Sequence, residues 1–441
     1  MTPVDDAPQA AIGEPHGGPA AIGVVGGGQL ARLLAQAALP LGVAVHVQTP
    51  AATDPAAAVA AELVLADPRD PEATRRLAQG CRAVSFENEW IDLEGLRPLA
   101  ADGVCFLPSL EALAPLICKR SQRELQQRLE LPAPRWFPLE QVLAPPPPPQ
   151  APATSEGGAP LPDPAAAPLA APAAGTAVLT PPQPQLPPGF SYPLMAKASR
   201  GGYDGKGTAL LQGADDLEAL LARVDPATWI VEDFVAFEQE LSLVACRDSQ
   251  GQVDCWPLVR THQEQQVCDW VLAPAAVPHA VEAYARNVAS SLLTSLHYVG
   301  VLSIEFFYGP AGLLINEIAP RTHNSGHYTI EASRTSQFAQ QVRIVAGLPM
   351  GPTDLVVPGA LMVNLLGYES SEGSYGPQRE ALARLEGAHV HWYDKSGSSP
   401  GRKLGHVTLV LQCATPEERA VEAAQRLAEV RSIWRLPPEA A

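Results

Sequence analysis

A proline-rich stretch in the first half of the chain limits where a packed core can form. Residues 144–188 contain 16 prolines, five of them consecutive at 145–149, and only Glu156 and Asp163 are charged. The stretch has no aromatic residue, so it cannot bury enough apolar area to offset the entropy lost on ordering. We therefore expect an extended or disordered insert at 140–189. A surface loop is favoured over a docking site for a proline-binding partner.

Short apolar runs and helical stretches alternate before the insert. In chain order, the strand-like runs and helix-like segments lie at 21–25, 29–38, 42–47, 63–65, 71–79 and 83–86. Such an alternation predicts a parallel sheet with helices on its faces.

A larger mixed α/β region is predicted after the insert. The predicted strands lie at 192–197, 208–211, 229–232, 240–247, 253–258, 299–308 and 312–318, with helices at 214–223 and 333–346. From Gly351 onward the pattern changes to short strands at 361–366, 389–393 and 406–411 and a final helix near 416–431.

Charge and cysteine content exclude several classes of protein. The formal net charge of -17 argues against a nucleic-acid binder, although a few local cations can hold one phosphate. Seven cysteines without a CxxC pair indicate reduced thiols in a cytoplasmic compartment. The acidic residues 1–20 do not resemble a signal peptide, and the longest uncharged stretch, 33–53, is interrupted by Pro40 and Gly42. We expect neither a membrane span nor a membrane partner.

A glycine turn follows the first predicted strand. Residues 26–31 fit the pattern G-x-G-x-x-A between a strand and a helix, where backbone N–H groups can approach an anion. A dinucleotide site would also want an acidic residue about 20 positions further on. Residues 48–50 are Gln-Thr-Pro instead, which weakens an NAD site. A tight turn without a ligand is the alternative.

A second glycine-rich loop spans 199–208 and lies between two predicted strands. It has four glycines together with Arg200 and Lys206, and Lys197 precedes it. It lacks the spacing of a Walker A loop and does not run into a helix. This composition favours a flexible flap over a triphosphate, with an ordinary hairpin as the alternative.

Two carboxylates lie on the adjacent predicted strands 299–308 and 312–318. Glu305 and Glu317 both stand in apolar runs, where an ionised carboxylate is costly unless it is paired or bound to a cation. With Asn316 they can present oxygen ligands to Mg²⁺ that bridges nucleotide phosphates. Solvent-facing residues of an edge strand are the alternative.

Polar and basic groups are concentrated in two further segments. Arg321, His323 and Asn324 supply a cation, an imidazole and an amide directly after the second carboxylate strand. Lys395 and the segment 400–406 form a basic patch in an acidic protein, which suits a substrate phosphate. The alternatives are a helix cap for the first segment and a solvated turn for the second.

Taken in order, these motifs resemble the N5-carboxyaminoimidazole ribonucleotide synthetase family of ATP-grasp ligases in purine biosynthesis. The resemblance covers about 22–431 apart from the insert and is carried by 26–32, 201–207, 298–301, 316–327 and 400–406. It implies an α/β fold with an N-terminal Rossmann-like parallel sheet, a central α+β ATP-grasp unit and a small C-terminal β-rich domain. The corresponding bounds are a disordered tail at 1–20 and domains at 21–115, 116–350 (interrupted at 140–189) and 351–441.

The resemblance also implies the chemistry. The expected reaction is ATP-dependent carboxylation of 5-aminoimidazole ribonucleotide with bicarbonate, through carboxyphosphate, with ATP and Mg²⁺ as cofactors. A cytoplasmic homodimer is expected. The sister reaction, formate-dependent transformylation of glycinamide ribonucleotide, is the alternative, but it would usually have an acidic residue at Asn324. An NAD-dependent oxidoreductase would leave Glu305 and Glu317 unused. A nucleotide-binding protein without catalysis is disfavoured because the metal carboxylates and the basic patch are all present.

The family pattern assigns roles residue by residue. Catalytic roles fall on Tyr203, Arg321, His323 and Lys403, and Mg²⁺ binding falls on Glu305 and Glu317. ATP contacts are implied for Lys119, Lys197, Gly202, Tyr203, Asp204, Gly205, Lys206, Gly207, Thr208, Glu232, Asp233, Phe234, Val235, Glu240, His262, Asn316 and Glu317. Ribonucleotide contacts are implied for Gln29, Leu30, Glu87, Asn324, Lys395, Arg402 and Lys403. Arg120 is an alternative to Lys119, and Glu89 is an alternative to Glu87.

Overall fold

The computed structural model describes residues 21–143, 184–201 and 207–437. The predicted tail at 1–20 and most of the predicted insert lie outside the described residues. So do the predictions for Gly202, Tyr203, Asp204, Gly205 and Lys206. The N–H of Gln185 donates to the carbonyl of Val142 at 3.0 Å, so the described residues on either side of the stretch 144–183 are close together.

The N-terminal residues form a four-stranded parallel sheet, as the alternating pattern predicts. Its order is β3-β2-β1-β4, with β1 Ala21–Val25, β2 Val45–Thr49, β3 Glu62–Leu65 and β4 Cys81–Phe86. The accompanying helices are α1 Gln29–Ala38, α2 Pro71–Ala78, α3 Leu93–Ala101 and α4 Leu110–Leu113. The carboxyl ends of β1 and β4 are adjacent, which is where ligands bind in open parallel sheets.

A second four-stranded sheet is antiparallel throughout. It contains β5 Trp136–Pro138, β6 Leu194–Ala198, β7 Thr208–Leu211 and β8 Trp229–Asp233 in the order β5-β8-β6-β7. The helices α5 Lys119–Arg128 and α6 Ala214–Leu221 flank it. Apolar side chains such as Phe137, Leu194 and Leu217 bury one face of this sheet. The undescribed flap residues connect β6 to β7.

The largest sheet has nine strands in the described part of the chain. These are β9 Gln239–Arg247, β10 Val253–Cys255, β11 Val259–Glu264, β12 Val267–Ala273, β13 Gly300–Gly309, β14 Gly312–Ala319, β15 Gly359–Leu366, β16 Ala388–Trp392 and β17 Lys403–Leu411. Their order is β14-β13-β9-β11-β12-β15-β17-β16, with β10 paired to β9. Because β12 pairs with β15, the C-terminal strands continue the central sheet.

Five helices accompany the nine-stranded sheet in the residues described. They are α7 His279–Ser295, α8 Thr329–Ala332, α9 Gln337–Val345, α10 Gly376–Ala383 and α11 Pro416–Ile433. The predicted helix at 333–346 starts too early, because Ser336 is the N-cap and accepts from the N–H of Ala339. The strands β11 and β12 and helix α7 were missed by the sequence patterns. Buried and exposed side chains alternate at the start of β11. Polar residues occupy both buried and exposed positions, so the strand has no apolar run that would predict it.

One apolar cluster joins three distant segments of the chain. Leu34 of α1 and Phe338 and Val342 of α9 pack together with Tyr393, which follows β16. Tyr393 is fully buried. This packing brings the glycine turn, the loop after β14 and the C-terminal basic patch to one place. Among the described helices, none combines the length and apolar character needed to cross a membrane.

Candidate active site

The two predicted metal carboxylates are direct neighbours. The antiparallel register of β13 and β14 pairs Glu305 with Glu317. Burial raises the pKa of Glu305 to about 7, and the charges of Glu317 and Glu240 add to that effect. Burial alone would also raise the pKa of Glu317, but the Lys119 ammonium, 2.8 Å from its Oε1, lowers it. In this hairpin Glu317 therefore has a cation partner, whereas the charged form of Glu305 is disfavoured.

This pair of carboxylates suits Mg²⁺ chemically. Burial and the charges of Glu317 and Glu240 raise the pKa of Glu305, and a divalent cation would favour its charged form; the adjoining residue Asn316 carries a further oxygen donor. Over the described ranges, no group of three or more His, Cys, Asp or Glu side chains is arranged to hold a metal ion. An ion at the pair would complete its ligands with phosphate and water oxygens, as Mg²⁺ commonly does.

Glu232 of β8 lies between two cations. Its carboxylate is 2.6 Å from Nε of Arg123 and 2.8 Å from Nζ of Lys197. Burial would raise its pKa, but these two cations hold the pKa at about 2. Lys197 also donates to Oδ1 of Asn316 at 3.0 Å. The structure thus joins three predicted nucleotide residues, Lys197, Glu232 and Asn316, in one buried network.

Arg123 is a site residue that sequence reasoning missed. Besides its ion pair with Glu232, it donates to the carbonyls of Ile315 and Asn316 at 2.9 and 2.8 Å. It therefore ties helix α5 to the strand that carries Glu317. Its only sequence signal was a basic residue one turn after Lys119, which is common on any surface helix. The Arg123 side chain is only 3% exposed, which distinguishes it from an ordinary surface arginine, and this burial is visible only in the folded chain.

The segment that leaves β8 presents exposed aromatic side chains. Phe234 and Phe237 are about half exposed, and Phe237 stacks on Phe307 with ring centroids 4.6 Å apart. An exposed aromatic hinge between two sheets offers a surface on which a planar base can stack. Glu240, predicted to contact a ribose, is the second residue of β9, and burial raises its pKa to about 7. Asp233 pairs with Arg135 at 2.6 Å on the outer side.

His262 lies on β11. Its ring stacks on Trp270 with centroids 5.1 Å apart, and its Nε2 is 4.0 Å from Glu264. Its nucleotide role stays a prediction. Thr208, the first residue of β7, donates to Oε1 of Gln266 at 2.9 Å, so the start of β7 is tied to the β11–β12 turn.

A cleft of about 240 Å³ adjoins the carboxylate hairpin. Lys119, Ser199 and Glu317 line it, together with Trp90 from the loop between β4 and α3. The hydroxyl of Ser199 is buried and has no hydrogen-bond partner within the ranges the structure describes. The cleft also borders the first residue of α5, where helix N–H groups favour an anion. These features suit a phosphate group.

The loop after β14 places an imidazole and a guanidinium beside the carboxylates. His323 Nε2 lies 3.6 Å from Oε1 of Glu305, and Arg321 makes a two-point ion pair with Glu89 at 2.7 and 3.4 Å. Burial, with a contribution from the Arg321 charge, lowers the pKa of His323 well below its usual value. His323 is therefore neutral at physiological pH. Its Nδ1 accepts from the Ser325 N–H, which assigns the proton to Nε2.

The glycine turn binds a carboxylate of the chain itself. Glu87 accepts from the N–H groups of Gly28 at 2.6 Å and Leu30 at 3.1 Å. A Cβ on Gly28 would collide with Oε1 of Glu87, so this close approach requires glycine. The contact with Glu87 therefore explains the glycine turn without a bound dinucleotide. Glu87 contacts the predicted substrate residue Leu30, whereas Glu89 pairs with Arg321.

The C-terminal basic patch meets the start of α1. Lys395 donates to Oε1 of Gln29 at 2.6 Å and to the carbonyl of Lys403 at 2.8 Å. Arg402 donates to the carbonyl of Gly397 at 2.8 Å. Gln29, which only the resemblance grouped with the basic patch, is thus close in space to Lys395 and Lys403.

Asn324 is held by a residue that sequence reasoning missed. The side-chain amides of Asn324 and Asn364 exchange two hydrogen bonds of 2.9 and 2.7 Å, and Asn364 also donates to the carbonyl of Cys268. This arrangement leaves Asn324 one N–H and one lone pair for another group. An isolated asparagine in the apolar strand β15 carried no sequence signal beyond its polarity.

Family models match three parts of the chain. They describe a ribonucleotide synthetase preATP-grasp domain at 20–116, an ATP-grasp domain at 184–338 and a phosphoribosylaminoimidazole carboxylase C-terminal domain at 360–418. The N5-carboxyaminoimidazole ribonucleotide synthase of Synechococcus elongatus is 44% identical over 419 residues, 95% of this chain and 96% of the relative. The chain belongs to the N5-carboxyaminoimidazole ribonucleotide synthase family.

Solved structures of this family share the fold. The N5-carboxyaminoimidazole ribonucleotide synthetase of Thermus thermophilus has a TM-score of 0.75 at 30% identity, covering 95% of this chain and 100% of that one. The N5-carboxyaminoimidazole synthase of Aspergillus clavatus, in complex with ADP and 5-aminoimidazole ribonucleotide, has a TM-score of 0.74 at 26% identity, covering 93% and 98%. These findings confirm the predicted family, fold class and ATP-grasp ligase activity. The formate-dependent and NAD-dependent alternatives are set aside.

Proposed function

We propose that this chain carboxylates 5-aminoimidazole ribonucleotide with bicarbonate and MgATP, releasing ADP and phosphate. The observation that carries the proposal is the contact of His323 with Glu305, which itself pairs with Glu317 in the hairpin. This contact brings the loop expected to handle bicarbonate to the carboxylates expected to hold the metal. The active site therefore has a place where bicarbonate can meet the terminal phosphate of ATP.

The first step needs charge neutralisation. A bicarbonate oxygen attacks the γ-phosphorus, the bond to the β-phosphate oxygen breaks, and ADP leaves carboxyphosphate behind. Lys119, which lines the cleft and pairs with Glu317, and Lys197, which pairs with Glu232, supply cations for the phosphate oxygens. Mg²⁺ held by Glu305 and Glu317, with Asn316, would supply further charge neutralisation for the phosphates. We propose that the flap residues, including Tyr203, exclude water from this step.

Bicarbonate binding is assigned to Arg321, His323 and Lys403. Glu89 orients the Arg321 guanidinium through two hydrogen bonds, and the neutral imidazole of His323 offers its Nε2–H as a donor. Donors of this kind stabilise developing negative charge when they are held in place before the reaction. The carboxyl group then passes to the amine of the ribonucleotide, and phosphate is released.

The ribonucleotide is assigned to the junction of α1 with the C-terminal patch. Lys395, Arg402 and Lys403 supply cations for a phosphate, and Gln29 and Asn324 supply amide groups for the ribose or the base. Glu87 holds the turn that precedes α1 and completes this side of the site. The proposed ribonucleotide site lies near the carboxylate hairpin, because the charge of Lys403 acts on Glu305.

We also propose the predicted domain bounds, a cytoplasmic location and a homodimer. The three matched family models support the domain bounds, and the seven cysteines, all free in the residues described, fit a reducing compartment. The homodimer rests on the family resemblance. Light scattering would test it, because a mass near 46.5 kDa would show a monomer instead.

The reaction is best tested by phosphate release. MgATP is incubated with 5-aminoimidazole ribonucleotide and bicarbonate, against controls that omit each. We expect release that requires the ribonucleotide, and transfer of label from bicarbonate to an N-carboxylated product. Phosphate release is the primary measure because the amine also takes up CO₂ without an enzyme. Release that requires formate and glycinamide ribonucleotide would instead refute the proposal.

A further inference from the structure

Helix α9 begins with a glutamine that binds the backbone of the active-site loop. The Gln337 side chain is fully buried. Its Oε1 accepts from the N–H of His323 at 2.9 Å, and its Nε2 donates to the carbonyl of His323 at 2.6 Å. Both backbone polar groups of His323 are thus satisfied by one side chain. A neighbouring strand would hold the residue in the same way.

The surrounding contacts leave Gln337 little freedom. Its own N–H donates to Oγ1 of Thr329 at 3.0 Å, and its Nε2 lies 3.3 Å from Nδ1 of His327. A Cβ added to Gly326 would lie 2.5 Å from Oε1 of Gln337, so the loop packs tightly against the amide. The Gln337 side chain and the loop that contains Gly326 therefore fit together in a single arrangement.

We infer that Gln337 is a positioning residue for the reaction. By holding the backbone of His323, it keeps the imidazole Nε2 next to Glu305, 3.6 Å from the carboxylate. This inference rests on the proposed role of His323 in handling bicarbonate. A displacement of about 1 Å at a reacting group can cost about a hundredfold in rate, so loss of the two backbone bonds should affect turnover more than ATP binding.

The same helix contains a matched control. Gln340, one turn further along, is also fully buried. It makes the same two bonds with the backbone of Gly351, both 2.9 Å long. Gly351 is not among the residues assigned to the active site. Gln337→Met and Gln340→Met therefore each remove a pair of hydrogen bonds to the backbone of one residue. Each also removes one longer contact, with Nδ1 of His327 for Gln337 and with Sγ of Cys246 for Gln340. They differ in whether the freed backbone belongs to the proposed active site.

The experiment compares kcat, the KM for each substrate and the thermal midpoint of wild type, Gln337→Met and Gln340→Met. We expect both variants to lose thermal stability by a similar amount, because each leaves a buried N–H and C=O unpaired. We expect kcat of Gln337→Met to fall at least about tenfold below that of Gln340→Met, with the KM for MgATP within about twofold of wild type. A purely structural role would lower both kcat values alike.

A second variant tests the inference if Gln337→Met folds poorly. Gln337→Asn keeps the amide but is one methylene shorter, so it cannot reach both backbone atoms, and we expect an intermediate loss of kcat. Equal kcat values for the position-337 variants and Gln340→Met would overturn this inference and leave the proposed function standing. A wild-type enzyme without ribonucleotide- and bicarbonate-dependent phosphate release would overturn the proposed function, and this inference with it.

Discussion

Glu305→Gln should make the metal-free protein more stable while removing its activity. The carboxyl of Glu305 has a pKa raised to about 7 by burial and by the charges of Glu317 and Glu240. In the unfolded chain the same group has an ordinary pKa of 4.5. Near neutral pH and above, folding therefore retains a charge in a place that disfavours it. Glutamine has nearly the same size and no charge, so the substitution removes the penalty without creating a cavity.

The magnitude follows from the two pKa values. The difference between 4.5 and about 7 corresponds to about 3.4 kcal/mol at most, at about 1.4 kcal/mol per unit. A quarter of the side chain (24%) is exposed, so solvent screens part of this penalty. We expect a gain of about 1–3 kcal/mol in the free energy of unfolding. Because the folded pKa is the higher one, the penalty is absent below pH 4.5, grows as pH rises, and is complete above about 7.

Denaturant unfolding without metal or nucleotide measures this effect at about pH 8 and about pH 5. We expect Glu305→Gln to exceed wild type at the higher pH and to differ little at the lower pH. Glu94→Gln, on the exposed side of α3, is the control and should change stability by less than about 0.5 kcal/mol. A gain of equal size at both pH values, or a loss at about pH 8, would refute the reasoning. Turnover with Mg²⁺ should fall at least about a hundredfold.

Three further predictions concern neighbouring features. Glu317→Gln should leave the fold intact and remove most turnover, because a metal-ligand charge is lost; near-normal turnover at saturating Mg²⁺ would contradict the metal assignment. Arg123→Met leaves Glu232 with one cation and should lower the free energy of unfolding by about 3–5 kcal/mol in denaturant titrations, whereas an unchanged midpoint would show that Lys197 suffices. Replacing residues 144–183 with a short Gly-Ser linker should keep turnover within about twofold, because the two ends are hydrogen-bonded. Loss of turnover in a folded linker variant would give the insert a function.

Features that depend on neighbouring residues could be predicted well. The Glu305–Glu317 pair follows from a hairpin whose partners are 12 positions apart, and the register confirms it. The alternation of strands and helices before residue 90 specified the parallel sheet. Motif order identified the family, and the comparisons confirm it. In these cases a short segment contains all the necessary information, because turn geometry and side-chain periodicity act locally.

Partners of the buried charges could not be predicted in the same way. Glu87 binds a turn 59 positions earlier, Arg123 meets Glu232 across 109 positions, and Lys395 reaches Gln29 across 366. Each pair depends on how separate layers pack. A charged residue in a sequence indicates that it will need a partner if buried, but not which residue supplies it.

The amino-acid sequence was sufficient to identify the family, the N-terminal parallel sheet and the carboxylate hairpin. The packing of distant segments was needed to show that the glycine turn holds Glu87, that Asn364 pairs with Asn324 and that Gln337 holds the His323 backbone. The physical reason is that burial makes each unpaired polar group costly, and long-range packing alone selects the group that satisfies it.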